Sequence, residues 1–324
     1  MARQVLEQLL QSEEPSIRFK VLTRVLGEDL GSPQIVRLQQ EIKNSPRVQA
    51  LLRERGPDGR IPFHPYAKWY GAHWVMATLA DLGYAPGDAS LIPLRDQTLA
   101  WLLAIKPIVR EGRARRCCSQ EANAVYAQLT LGLADERTEE LARRLLIYQW
   151  ADGGWNCDKK PEAINSSFME SLIPLRALAL HAKRTGSPAS RQAAERAAEI
   201  FLKRRLFRRR SDGSVMRPDF VKLHYPCYWH YDILFGLQVM AEAGFIGDPR
   251  CGEALDLIES KRLPDGGFPA EGTYYHTIAS ASAPKRKSGA SLVDWGGTSK
   301  AHMNAWVTAE ALAVLQAAGR LRSA

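Results

Sequence analysis

The chain has 324 residues, 45% of them aliphatic or aromatic, and a formal net charge of +9 at pH 7. That apolar content suits a globular core and excludes a disordered polypeptide; no run of about 18 apolar residues exists to span a membrane, and residues 1–10 lack the apolar stretch of a signal peptide. Five cysteines, an odd number without a CxxC pair, fit reduced thiols in a cytoplasm, so the expected location is cytoplasmic.

Residues 2–44 read as short amphipathic helices. Pro15 opens one with Ile17, Val21 and Val25 on a single face, and Ser32-Pro33 opens another with Ile35, Leu38 and Ile42 at helical spacing. From Ser45-Pro46 a two-helix unit can be traced, its serine placed to cap and its proline at the first helical position; Ser187-Pro188 and Asp248-Pro249 repeat the device. Each of these helices runs into an Asp-Gly turn.

Four such turns occur: Asp58-Gly59, Asp152-Gly153, Asp212-Gly213 and Asp265-Gly266, each followed after one free position by an apolar anchor, Ile61, Trp155, Val215 and Phe268. Aspartate bonds its own backbone two residues on and glycine accepts a positive φ, so a tight turn should lead to a buried anchor. A further unit keeps only Glu111-Gly112-Arg113. After each turn comes a second helix ending on Gly83, Gly132, Gly186, Gly244 or Gly319. These second helices (74–82, 122–133, 168–180, 233–243 and 305–318) are apolar nearly all round, whereas 135–149 and 191–210 carry charged faces. The fold class expected is all-α: an (α/α)6-type toroid of inner and outer helices, about twelve in all, over 45–324, with 1–44 packing on it. An open solenoid is the rival arrangement.

Gln149-x-x-x-Gly153-x-Trp155 resembles the QW repeat of squalene-hopene and oxidosqualene cyclases, and Gly266 with Phe268 resembles its second half, Arg262 replacing Gln. The protein prenyltransferase β subunits share the hairpin plan. The resemblance implies an α/α toroid of the terpenoid cyclase and prenyltransferase superfamily, with the QW element as a clasp between outer helices. The chain contains neither DxDD nor DDxxD, so the alkene-protonating and diphosphate-binding signatures of that superfamily are missing.

Toroids carry their cavity at one end of the inner ring. His224-Tyr225-Pro226-Cys227-Tyr228-Trp229-His230-Tyr231-Asp232 is the richest stretch at such a level. Desolvated at the start of an inner helix, Asp232 could donate a proton with His230 orienting it and Glu170 or Glu121 as partner; it could equally cap the helix. Trp69, His73, Trp74, Tyr228, Trp229, Asp294, Trp295 and Trp306 are the expected ligand-binding set, their aromatic faces suited to a carbocation or a sugar. Cys227-x-x-His230-x-Asp232 offers zinc donors, but in the prenyltransferases the Asp-x-Cys pair stands well apart from the His, and the expectation is no metal and no cofactor.

The expected ligand is a hydrophobic, isoprenoid-type small molecule, undergoing acid-initiated cyclisation or isomerisation if the chain is an enzyme. A glycosidase-like hydrolase using paired carboxylates, and a toroid that binds protein or lipid without catalysis, are the alternatives. Lys203-Arg204-Arg205, Arg208-Arg209-Arg210 and the trio Arg113, Arg115 and Arg116 are either solvated helix ends or contacts for an anionic head group or anionic membrane surface. Nucleic acid is not expected, since no helix-turn-helix, zinc-finger or RNP pattern accompanies the charge. The long connection after Phe268, with Tyr274-Tyr275-His276, Ala279-Ser280-Ala281-Ser282 and Lys285-Arg286-Lys287, is expected to cover the cavity mouth.

Overall fold

A computed structural model describes residues 2–278 and 288–321, which are all-α with thirteen α-helices. They are α1 (Ala2–Leu10), α2 (Pro15–Lys20, continuing as a π-helical turn Val21–Val25), α3 (Pro33–Asn44), α4 (Pro46–Leu52), α5 (Ala72–Leu82), α6 (Ile92–Ala104) and α7 (Cys118–Thr130). Then follow α8 (Glu136–Tyr148), α9 (Phe168–Thr185), α10 (Pro188–Leu202), α11 (Ile233–Glu242), α12 (Gly252–Ser260) and α13 (Ala305–Ala317).

The ring closes. Helix α5 packs on α7, α7 on α9, α9 on α11 and α11 on α13; α13 packs on α2 and its π-helical turn, and α2 returns to α5. Outside them, α3 covers α2, α6 and α8 cover α7, α10 covers α9 and α12 covers α11. The segment 1–44, expected to pack on the toroid, thus supplies one of its six inner positions, because the single apolar face of α2 is flanked by Lys20 and Arg24, whose charges find partners only inside the ring. Periodicity separates the two layers: α13 is buried at every position from Trp306 to Leu315, whereas α8 buries Thr138, Leu141, Ala142 and Leu145, one stripe.

The turns form as their chemistry requires. Asp58, Asp152, Asp212 and Asp265 each accept the backbone N–H two residues on, and Gly59, Gly153, Gly213 and Gly266 all have φ between 71° and 102°. Ile61, Trp155 and Phe268 are fully buried, but Val215 is 36% exposed, so the third turn lacks the anchor expected of it. There the chain leaves α10 early, at Leu202. Arg205 and Leu206 take positive φ, Leu206 and Phe207 turn inward, and the basic run belongs to the turn and not to a helix. In the unit without Asp-Gly, Glu111 (φ 49°) and Gly112 (φ 70°) make the two-residue loop of a hairpin between β1 (Ile108–Arg110) and β2 (Arg113–Arg115).

Gln149 makes the clasp. Its Nε2 donates to Gly153 O and to Ala193 O on α10, both at 2.8 Å, and its Oε1 accepts from Arg196. A Cβ on Gly153 would sit 2.5 Å from the Arg196 carbonyl oxygen, so only glycine permits this approach. Trp155 N–H donates to Ser171 Oγ on inner helix α9 (3.1 Å) and Phe268 N–H to Thr308 Oγ1 on α13 (2.9 Å), the same bond in two units.

Candidate ligand cavity and thiol cluster

The 224–232 stretch is organised by Asp232. As the N-cap of α11 its Oδ1 accepts Phe235 N–H (2.8 Å), and its Oδ2 accepts His224 N–H (2.8 Å), His224 Nδ1–H (3.0 Å) and the Cys227 thiol (3.5 Å). The residue is fully buried. Asp232 is therefore a cap, not the free proton donor expected, because two backbone N–H groups and an imidazole already occupy its oxygens. His230 does not orient it: its Nδ1 donates to the Cys227 carbonyl (3.1 Å), and burial pushes the imidazole down to about 4. Cys227, His230 and Asp232 do not bring their donor atoms together as a metal triad among the described residues.

A cavity of about 650 Å³, its open mouth included, lies beside this stretch at the centre of the ring. Trp74, Tyr225, Tyr228, Leu234 and Phe235 form its apolar wall. Of the expected ligand-binding set, Trp74 and Tyr228 line it, while other members stand one layer behind. Trp69 stacks flat on Tyr228, and Trp295 and Trp306 pack around Tyr225, the latter parallel to it at 5.0 Å. His73 is buried between Trp74 and Trp101, and both its ring nitrogens are without a hydrogen-bond partner; burial, with Arg116 adding to it, pushes its pKa down to about 3. Trp229 stacks on His230. Asp294 is exposed and shapes its own turn, accepting Gly296 N–H at 3.0 Å, so it does not belong to the cavity.

The cavity floor is charged and balanced. Lys20 Nζ lies 2.9 Å from Asp81 and 2.6 Å from Glu310, Arg24 pairs with Glu310, and Arg176 grips Glu242 through two bonds of 2.5 and 2.8 Å. Three cations thus meet three carboxylates, drawn from α2 and its π-helical turn, α5, α9, α11 and α13. Arg176 also stacks on Tyr126 of α7, 3.8 Å from its ring centre. Burial opposes ionisation of Asp81, but Lys20, Arg24 and Arg176 outweigh it and hold the carboxyl below the usual range.

The carboxylates expected to act as a pair do not converge. Glu121 pairs with Arg116 (3.2 Å), and Glu170 accepts Ser119 N–H (3.0 Å) and the Cys157 thiol (3.5 Å); neither lines the cavity, and burial raises the pKa of both. Glu170 instead belongs to a cluster that sequence spacing concealed. The donor atoms of Cys117, Cys157 and Glu170 all lie within 4.8 Å of one another, the one such triad among the described residues. Cys117 caps the inner helix of one hairpin, and Cys157 sits on the turn leading to the next. The repeat itself was the available signal: each thiol follows the turn glycine of its unit, Gly112 or Gly153, by about one helical turn's worth of chain. The neighbouring Cys157, with Arg116 and Lys159, holds the Cys117 thiol down.

The basic clusters divide: Lys203, Arg205, Arg209 and Arg210 are exposed, while two members of the other cluster turn inward. Arg115 and Arg116 are buried; Arg115 lies over Trp150 and donates to Ala163 O, while Arg208 pairs with Glu253. After Phe268 the long connection places Tyr274 parallel to His230 (3.7 Å) and on His224, its carbonyl accepting Trp69 Nε1–H (2.8 Å). Its strand β3 (His276–Thr277) pairs in parallel with β4 (Ala290–Ser291). The segments Ala279-Ser280-Ala281-Ser282 and Lys285-Arg286-Lys287 lie outside the described residues. Among the described residues, no helix is long and apolar enough to cross a membrane.

The fold and cavity define a closed all-α toroid with an aromatic-walled central pocket. No family model matches the chain, and no curated protein matches it.

Proposed function

We propose that this chain binds an apolar ligand of isoprenoid type in its central cavity, as a toroid of the kind its Gln149-to-Trp155 turn resembles. The observation that carries this reading is the convergence of Trp74, Tyr225, Tyr228 and Phe235 on one space above a charge-balanced floor. Three matched ion pairs leave no surplus charge to hold an ionic head group, which favours an uncharged ligand. The reading is one of binding: acid-initiated cyclisation would need a protonated acid facing the cavity, and Asp232 is committed to the α11 cap.

Titration of the full chain with farnesol and with a malto-oligosaccharide, followed by tryptophan fluorescence and native mass spectrometry, tests it. Farnesol should bind one to one. Ala77→Leu, which narrows the cavity from its wall, should weaken binding at least tenfold while leaving the far-ultraviolet circular dichroism unchanged. Sugar binding without farnesol binding would overturn the proposal in favour of a carbohydrate site.

A further inference from the structure

The Cys117, Cys157 and Glu170 cluster has the shape of an unassigned metal site. Its Cys157 Sγ to Glu170 Oε1 distance is 3.5 Å. A tetrahedral zinc ion with Zn–S of about 2.3 Å and Zn–O of about 2.0 Å spans a sulfur–oxygen edge of roughly 3.5 Å. One edge of the triad therefore already has the length such an ion requires, and the Cys117 sulfur lies within 4.8 Å of both other donors. Glu170 is buried and its second oxygen is fixed by Ser119 N–H at 3.0 Å, the outer-shell bond that orients a metal-binding carboxylate. Cys117 and Cys157 are half-buried, which leaves a side of the triad within reach of water.

We propose that Cys117, Cys157 and Glu170 bind a zinc ion with a fourth position open to an exchangeable ligand. Three protein donors and one vacant position is the arrangement of zinc sites that perform chemistry, whereas purely structural sites use four. Binding would release the two thiol protons to solvent, leaving two thiolates and one carboxylate around the dication. The resulting single negative charge lies within electrostatic reach of Arg116 and Lys159. The site stands apart from the residues lining the central cavity, so this inference does not depend on the ligand proposed for that cavity.

The test uses the full chain, reduced and stripped with a chelator, then titrated with Zn²⁺ against a chromophoric competitor and separately with Co²⁺. One equivalent of zinc should bind, and cobalt should give thiolate charge-transfer absorption with tetrahedral visible bands. Cys117→Ser, Cys157→Ser and Glu170→Gln should each weaken zinc binding by at least about 100-fold, beyond the loss of an outer-shell partner. Cys251→Ser, at a buried thiol bonded to the Phe245 carbonyl, should not change it. Should a serine variant fail to fold, alkylation of the unaltered chain decides: Zn²⁺ must slow modification of both Cys117 and Cys157 at least tenfold. Absence of stoichiometric zinc binding would overturn the proposal, and so would formation of a Cys117–Cys157 disulfide by dissolved oxygen while zinc is present, which would make the pair a redox couple.

Discussion

Trp69 and Tyr228 lie face to face, ring centres 3.8 Å apart and planes within 1° of parallel. Tyr228 has φ 53°, a left-handed conformation that costs a non-glycine residue about 1–2 kcal/mol, and its ring forms part of the cavity wall. The stack and the Trp69 indole bond to Tyr274 O hold that strained residue in place. Trp69→Ala is expected to lower unfolding free energy by about 3–5 kcal/mol and to weaken farnesol binding although Trp69 does not itself line the cavity. Chemical denaturation and fluorescence titration of the same variant check both.

The Asp232 cap predicts a stability effect. Asp232→Ala leaves two buried backbone N–H groups and His224 without their acceptor and should destabilise by roughly 2–4 kcal/mol, the sum of a lost cap and unsatisfied donors. Asp232→Asn should also destabilise, because an amide presents N–H where His224 already donates. An unchanged urea midpoint for either variant would show that the cap is not what the carboxylate is for.

In the floor of the cavity, Lys20→Met removes the cation shared by Asp81 and Glu310, leaving Glu310 to Arg24 and Asp81 to Arg176 and the Tyr225 hydroxyl. Removing one partner from a buried ion pair costs about 3–5 kcal/mol, and the double variant Lys20→Met with Glu310→Gln should recover part of it. A double-mutant cycle by urea unfolding measures the coupling; simple additivity would mean that the two residues act independently.

His73 predicts an acid limb of stability. Its folded pKa, about 3, lies below the ordinary imidazole value of 6.5, so the unfolded chain binds the proton first. Its contribution is complete above pH 6.5 and falls by up to roughly 1.4 kcal/mol per unit as pH drops from there toward 3. Arg116 is the charged group that adds to the effect of burial, and Tyr66, Trp74 and Trp101 surround the ring. His73→Phe should flatten the slope of unfolding free energy against pH in that window, measured by denaturant titration at several pH values.

Much of the architecture was legible in the sequence because it rests on local chemistry. Asp-Gly at 58, 152, 212 and 265 dictates its own turn, and apolar content all round α13 against one stripe on α8 separates an inner helix from an outer one before any packing is known. Glu111-Gly112 shows the limit of that reading: the same turn chemistry, flanked by Ile108 and Arg115, joins strands.

The site depended on what only ring closure brings together. Asp232 caps α11 through a local bond from Phe235 N–H, a role its position allowed, but that His224 and Cys227 turn back onto the same carboxylate comes from the course of the loop. Residues as far apart as Lys20 and Glu310 meet in the cavity floor, and Cys117 meets Cys157 and Glu170 across two hairpins. By itself, the sequence determined that this chain is an α/α repeat, since turn and helix preferences act over a few residues. Which side chains share a cavity, a charge network or a metal-sized gap was decided by tertiary structure, because those encounters are set by how six hairpins close on one another.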